Sequence, residues 1–269
     1  MKKLFVLIIL FVGLNAFSQQ IQDSPWKKNI SDREVIPYQP VREADVFWAK
    51  RLWRIIDTRE KQNLIFSYPA LPLFEILHSA AKNGEIIVYE NSVVNGDQFL
   101  MTINKEQIAA IGVSDDIMMF QDIETGYDVA TTIHEELDIS KVTRFKIKED
   151  WFFNSATSTM EVRIIGLAPL MEVYDDTGVY LGDETLYWLY YPELRPILAK
   201  YEAYNTGNFA QSLSWDDIFE ARRFASYIYK EDNVYDRKIQ EYASRKVALY
   251  ESERIKEQIF NFEHDLWSY

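Results

Sequence analysis

An α+β fold is predicted for this chain: mixed helices, a mainly antiparallel sheet and a helical C-terminal part. Three observations carry it. Residues 142–191 alternate apolar and polar side chains, as in VTRFKIKEDWFF and TSTMEVRIIGL, which is the period of strands. The segments around them show helical spacing of apolar residues with start and stop signals. Strands clustered in one stretch and helices in another are the pattern of α+β rather than of alternating α/β chains. No internal repeat and no Gly/Ser linker marks a domain boundary. The chain divides into a leader at 1–18, an arm at 19–40, an α+β core at 41–205 and a helical region at 206–269. The break is placed at Tyr204-Asn205-Thr206-Gly207-Asn208.

The leader, MKKLFVLIILFVGLNAFS, has a positive start at Lys2 and Lys3 and an uncharged apolar run from Leu4 to Leu14. Ala16 and Ser18 follow as the small residues of a cleavage site. The run is far short of the roughly 20 residues that span a bilayer. It therefore reads as a secretory signal cut after Ser18, and the mature protein is expected outside the cytoplasm. With no cysteine in the chain, the new N-terminus has no thiol for a lipid, and disulfides and thiol catalysis are excluded.

Residues 19–40 read as an extended arm punctuated by Pro25, Pro37 and Pro40, either disordered or laid on another surface. Trp26, Ile30, Val35, Ile36 and Tyr38 give it apolar docking points. VREADVFWAKRLWRIID, 41–57, is predicted to be a helix. Val41, Ala44, Trp48, Leu52 and Ile55 form one stripe, and Val46, Ala49, Trp53 and Ile56 a second. Its narrow polar strip holds Glu43, Lys50 and Arg54, so such a helix needs cover on more than one side.

Leu73 to Lys82 reads as a helix stopped by Gly84. EIIVYE, 85–90, reads as a strand. Asn104 with Gln107 forms a capping box for a short helix ended by Gly112. Asp176-Thr177-Gly178 turns the chain between MEVY and VYL. Pro192 opens a helix that continues through LRPILAKYEAY. Ser214 and Asp217 cap another, WDDIFEARRFASYIYK. Opposite charges at steps of three and four make 236–262 a long exposed helix.

Composition narrows the function. The formal charge of -13 becomes -15 when the two leader lysines go, which disfavours nucleic acid as a partner. Residues 27–61 hold nine basic and six acidic side chains, net +3, whereas 85–150 hold five and fourteen, net -9. Such asymmetry can steer like subunits head to tail, although ordinary surface variation also produces it. Seventeen Tyr, 16 Phe and 7 Trp suit either an aromatic core or broad interfaces.

Catalytic patterns are missing. The chain holds no HExxH, no G-x-S-x-G elbow, no G-x-G-x-x-G and no G-x-x-x-x-G-K-[ST]. His134-Glu135-Glu136 with Asp138 could approach a cation, but adjacent residues on one element point apart. The pairs Asp175-Asp176 and Asp216-Asp217 have structural explanations, in a turn and at a helix start. No metal, no cofactor and no enzymatic activity are expected. A secreted carbohydrate-binding or carbohydrate-active protein is the alternative, since two carboxylates beside aromatic side chains suit sugars.

Three long blocks carry a resemblance: VREADVFWAKRLWRIIDTREKQN, FKIKEDWFFNSATSTMEVRIIGLAP and ETLYWLYYPELRPILA. On them the chain resembles, over nearly its whole length, the GldN family of gliding-motility proteins, whose orthologues include PorN, in the type IX secretion apparatus of the Bacteroidota. The resemblance implies a non-enzymatic scaffold in the periplasm. It implies rings formed with an outer-membrane lipoprotein of the GldK/PorK kind, and contact with the inner-membrane-anchored GldM/PorM kind of protein. Trp26, Ile36 and Tyr38 in the arm, with Trp48, Lys50, Trp53 and Arg54 in the following segment, are the candidate partner contacts.

Overall fold

A computed structural model describes Pro25 and residues 30–92, 97–112, 114–121, 128–135, 137–175, 177–205, 207–208 and 210–267. The predicted leader and Trp26 lie outside the described residues. After a 3-10 turn at Glu43–Asp45 the chain enters β1 (Val46–Asp57). Then come α1 (Leu73–Asn83), β2 (Val88–Tyr89), β3 (Thr102–Ile103), α2 (Lys105–Ala110), β4 (Ser114–Gln121) and β5 (Asp128–Glu135). The long strands β6 (Val142–Asn154) and β7 (Thr159–Tyr174) follow, then β8 (Tyr180–Thr185) and β9 (Trp188–Tyr190). The last third holds α3 (Tyr191–Leu198), β10 (Glu202–Ala203), β11 (Leu213–Ser214), α4 (Trp215–Glu220), β12 (Tyr227–Glu231), α5 (Ile239–Tyr242) and α6 (Arg245–Trp267).

The fold is α+β. One sheet runs β12-β1-β6-β7-β9-β2-β3, with β8 also pairing β7, and its ladders are antiparallel. The pairs β4-β5 and β10-β11 stand apart from it. On one face, Ile56, Phe145 and Ile147 pack with α1, α3 and α4 into the main core, which includes Phe66, Tyr187, Tyr191, Trp215 and Phe219. Further along that face, Leu52 and Ile228 pack under α5 and α6 through Ile239, Ile255 and Ile259. The opposite face is a smaller cluster of Trp53, Ile55, Ala168, Trp188 and Tyr229.

The predicted helix at 41–57 is instead strand β1. Positions four apart share a face in a helix and equally in a strand, so Ala44, Trp48 and Leu52 fit both periods. β1 pairs with β6 on one side and β12 on the other, and Leu52, Trp53, Arg54, Ile55 and Ile56 are all buried. A strand covered on both faces loses its alternation and reads as apolar all round. Its β-branched and aromatic residues fit that environment.

Two more segments end earlier than predicted. α3 stops at Leu198, after Pro196 inside it, and Glu202–Ala203 pairs with Leu213–Ser214. α4 stops at Glu220, and the downstream YIYKE becomes edge strand β12 against β1. Local signals elsewhere hold. Gly84 takes φ +74 after α1, and its N–H reaches the Ala80 and Ala81 carbonyls. Asn104–Gln107 and Ser214–Asp217 both form reciprocal capping boxes. The helix predicted over 236–262 is instead broken: α5 covers only Ile239–Tyr242, Ala243 is extended, and α6 starts at Arg245, with Glu253 and Lys256 paired at 3.4 Å along it.

His78 on α1 is buried between Phe74 and Tyr187, its ring stacked on both. Among the described residues Nε2 has no hydrogen-bond partner, and Nδ1 lies 3.4 Å from the Tyr187 hydroxyl. Burial, and then the nearby Lys82 charge, push the imidazole down to about 4 from its ordinary 6.5. The unfolded chain therefore binds a proton below pH 6.5 that the folded chain refuses until about pH 4. Stability falls across that window as pH drops. His78→Phe should remove about 2–3 kcal/mol of the difference between pH 7 and pH 4. Urea denaturation of both proteins at the two pH values measures it; identical pH dependence would refute the assignment.

Candidate interaction surfaces

The arm leads onto its own chain. Residues 30–40 lie across β7, α3 and α4, held mainly by charge. Arg33 donates to Asp217 at 2.6 Å and to the Ser212 carbonyl at 2.8 Å. Arg195 donates to the Ile36 carbonyl at 3.1 Å, and Arg163 to the Gln39 carbonyl at 3.3 Å. Tyr38 is the anchor. Its hydroxyl donates to Glu220 at 2.5 Å, and the guanidinium carbons of Arg163 and Arg195 lie 4.1 and 4.2 Å from its ring centroid. Burial and the Glu220 carboxylate push the phenol up, so it stays a neutral donor at physiological pH. Ile36 points outward and is 82% exposed.

The seat is set by α3 and α4. The capping box of α4 places Asp216 and Asp217 in its first turn. Asp216 accepts from Arg195 Nε and Nη2 at 2.9 and 3.2 Å, which orients the guanidinium toward the arm. Tyr191 donates to Glu220 at 3.1 Å, fixing the carboxylate that Tyr38 reaches. Arg163, Arg195 and Glu220 were not singled out as site residues from the sequence. The available signal was Arg195, a charge in the otherwise apolar LRPIL segment.

The β1 candidates divide between the two faces of the sheet. Trp48 stacks on Phe262 of α6 at 4.7 Å. Lys50 pairs with Glu231 at 2.6 Å. Arg54 is buried and donates to Ser226 Oγ and O at 2.8 and 2.9 Å. Trp53, on the other face, donates Nε1 to Asp97 at 2.6 Å and lies beneath Lys230, 4.3 Å from its ring centroid. The structure thus brings Ile36 and Tyr38 together in one seat and places Trp48, Lys50, Trp53 and Arg54 in contacts within the chain.

Near Arg54 sits Glu149, a fully buried carboxylate. It accepts from Arg222 at 2.7 and 3.2 Å and from Trp151 Nε1 at 2.8 Å, with Arg54 at 3.7 Å. Its signal in the sequence was its register: it falls on the face of Phe145, Ile147 and Trp151, where an acid is out of place.

Asp138, Asp175, Asp216 and Asp217, weighed for chemistry from the sequence, have structural partners. Asp175 accepts from Thr177 N, Thr177 Oγ1 and Val179 N in the β7–β8 turn. Asp217 caps α4, and Asp138 caps the 3-10 turn at Ile139–Lys141. Of the His134-Glu135-Glu136 triplet, His134 and Glu135 belong to β5, and Glu136 lies outside the described residues. Among the described residues no group of three or more His, Asp or Glu is placed to hold a metal ion. A cleft of about 500 Å³ on the Trp53 face does combine aromatics with carboxylates. Lysines lie over its rings, however: Lys230 over Trp53 and Lys146 over Tyr229 at 5.7 Å. Sugar stacking needs those faces open.

Residues 41–268 match the family of the gliding motility associated protein GldN. The chain belongs to the GldN family. It is accordingly a component of the gliding-motility and type IX secretion machinery, in a family of structural components rather than enzymes. No curated protein matches this chain. The GldN match begins at Val41, so the seat on α3 and α4 lies within the family region and the arm that fills it lies before it. Among the described residues no helix is long and apolar enough to cross a membrane.

Two measurements test these contacts. Tyr38→Ala should free the arm and raise the rate of tryptic cleavage after Arg33 and Arg42 by roughly tenfold, with a stability change of about 1 kcal/mol or less, the scale of exposed polar contacts. Unchanged cleavage would show that the arm is held otherwise. Arg222→Ala should cost about 3–5 kcal/mol in chemical denaturation, because it strips the main partner from a buried carboxylate. A loss of only a few tenths would contradict that role.

Proposed function

We propose that this GldN-family chain is a non-enzymatic scaffold subunit of the type IX secretion and gliding machinery, working in the periplasm. It self-associates in a ring with an outer-membrane lipoprotein of the GldK/PorK kind. It also contacts the periplasmic part of an inner-membrane-anchored protein of the GldM/PorM kind. The family match over 41–268 carries this reading. A leader with the marks of a secretory signal and a chain free of cysteine support it.

Scaffolding also agrees with what the side chains do. Asp138 and Asp217 cap helices, Asp175 closes a turn and Asp216 pairs with Arg195. Load shared between subunits is spread over area, and a protein with 40 aromatic side chains has anchors to spare for broad contacts. Ile36, held outward on the seated arm, and the exposed Val234, Tyr235 and Tyr250 are the apolar points this reading offers to partners.

Gentle solubilisation of the envelope, followed by purification through a C-terminal tag and mass spectrometry, tests the proposal. The expected result is a large complex containing an outer-membrane lipoprotein; recovery as a free monomer overturns it. Deletion of residues 19–40 should release the lipoprotein while leaving the circular dichroism spectrum intact. Undiminished co-purification would remove the arm from the interface.

A further inference from the structure

The cleft on the Trp53 face has an electrostatic property that the scaffold reading does not use. Its floor is Trp53, Trp188 and Tyr229, all buried, and its walls carry Lys146, Lys230 and Lys238. Lys146 rises from β6 and donates to Thr185 Oγ1 at 2.6 Å. Among the described residues, neither Lys146 nor Lys238 has a carboxylate within 4.0 Å. Four carboxylates also line the cleft, Asp97, Asp183, Glu184 and Asp236; Glu184 is exposed at its rim, and the other three have partners. Asp97 serves Trp53 Nε1 and Lys148, and Asp183 serves Arg144 and Tyr180. Asp236 holds Lys230 at 2.5 Å from a position that is itself mostly in solvent.

Like charges beside an aromatic floor repel through a medium that screens them poorly. Burial, and then the neighbouring Lys238 charge, lower the Lys146 amine from 10.5 to about 8. At neutral pH it is still largely protonated, and the cost of holding it so falls when a negative group enters. A volume of about 500 Å³ admits a small organic acid or phosphate ester as readily as a bare ion. Here the aromatic floor supplies the apolar part of the site and the charged walls supply convergent polar groups that fix a ligand's orientation.

We propose that this cleft binds a small oxyanion, a carboxylate or phosphate group, on Lys146 and Lys238, with Lys230 and the Thr185 hydroxyl at its margin. The ammonium groups supply charge-assisted hydrogen bonds. Trp53 and Tyr229 exclude the water that would otherwise screen them.

Full-length mature protein with labelled lysines would be titrated at pH 7 with inorganic phosphate and, separately, with acetate. The side-chain resonances of Lys146 are followed by NMR beside those of exposed Lys256. Saturable movement of the Lys146 signal with either anion, against a weak linear drift of Lys256, is the expected result. The arm that saturates at lower concentration identifies the preferred group. Lys146→Met should weaken binding by roughly tenfold. Lys238→Met, a substitution at an exposed position that leaves folding intact, should weaken it by roughly threefold. Linear drift of Lys146 with both anions, or equal affinity in the wild type and Lys238→Met, overturns the site whether or not the Lys146 variant folds.

Discussion

Strand β6 must be covered on both faces while carrying charges into each of them, and much of the molecule is arranged around that constraint. Glu149 projects to the helical face, whereas Lys146 and Lys148 project to the other. A buried charge without a partner would cost several kcal/mol, so each has drawn an element to it. Glu149 ties down Arg222, in the connection between α4 and β12, and lies beside Arg54 of β1. Lys148 donates to the Asp97 carbonyl at 2.6 Å and pins that loop over Trp53. Lys146 reaches Thr185 at the end of β8. One strand thereby fixes the position of four segments distant in the chain.

The aromatic side chains divide by the same logic. On the helical face, Phe66 packs edge-on to Trp215 and Phe219 in the main core, with Arg222 over Trp151 and Phe224 at its border. On the lysine face, the rings lie under ammonium groups, where the negative π face offsets part of the cost of burying a cation. A third group, Tyr38, lies against two guanidiniums at the surface and ties the arm to α3 and α4. The richness in Tyr and Trp therefore has three physical uses within the chain itself, before any partner is considered.

The arm seat links architecture to assembly. Its contacts are one ion pair, a few hydrogen bonds and one aromatic ring rather than a broad apolar interface, so arm and seat are joined at few points. Polar docking of this kind opens at little cost compared with the core beneath it.

Much was written in local sequence. The α+β class, the stop at Gly84, both capping boxes, the β7–β8 turn and the strands of 142–191 follow from short-range rules: φ above zero at a glycine, an oxygen placed for an orphan N–H, alternation across a half-buried face. The family resemblance likewise rests on the blocks at 41–63, 145–169 and 184–199, all inside the matched region 41–268. What only the tertiary structure decided was pairing. Whether VFWAKRLWRIID is helix or strand depends on having β6 and β12 to either side, because apolar residues four apart satisfy both periods. YIYKE becomes a strand for the same reason, since β1 offers it a free edge. Arg222 lies 73 positions from Glu149, Thr185 39 from Lys146 and Glu220 182 from Tyr38. Long-range contacts of this kind leave no periodic trace; the sequence shows only that a charge stands where an apolar residue belongs.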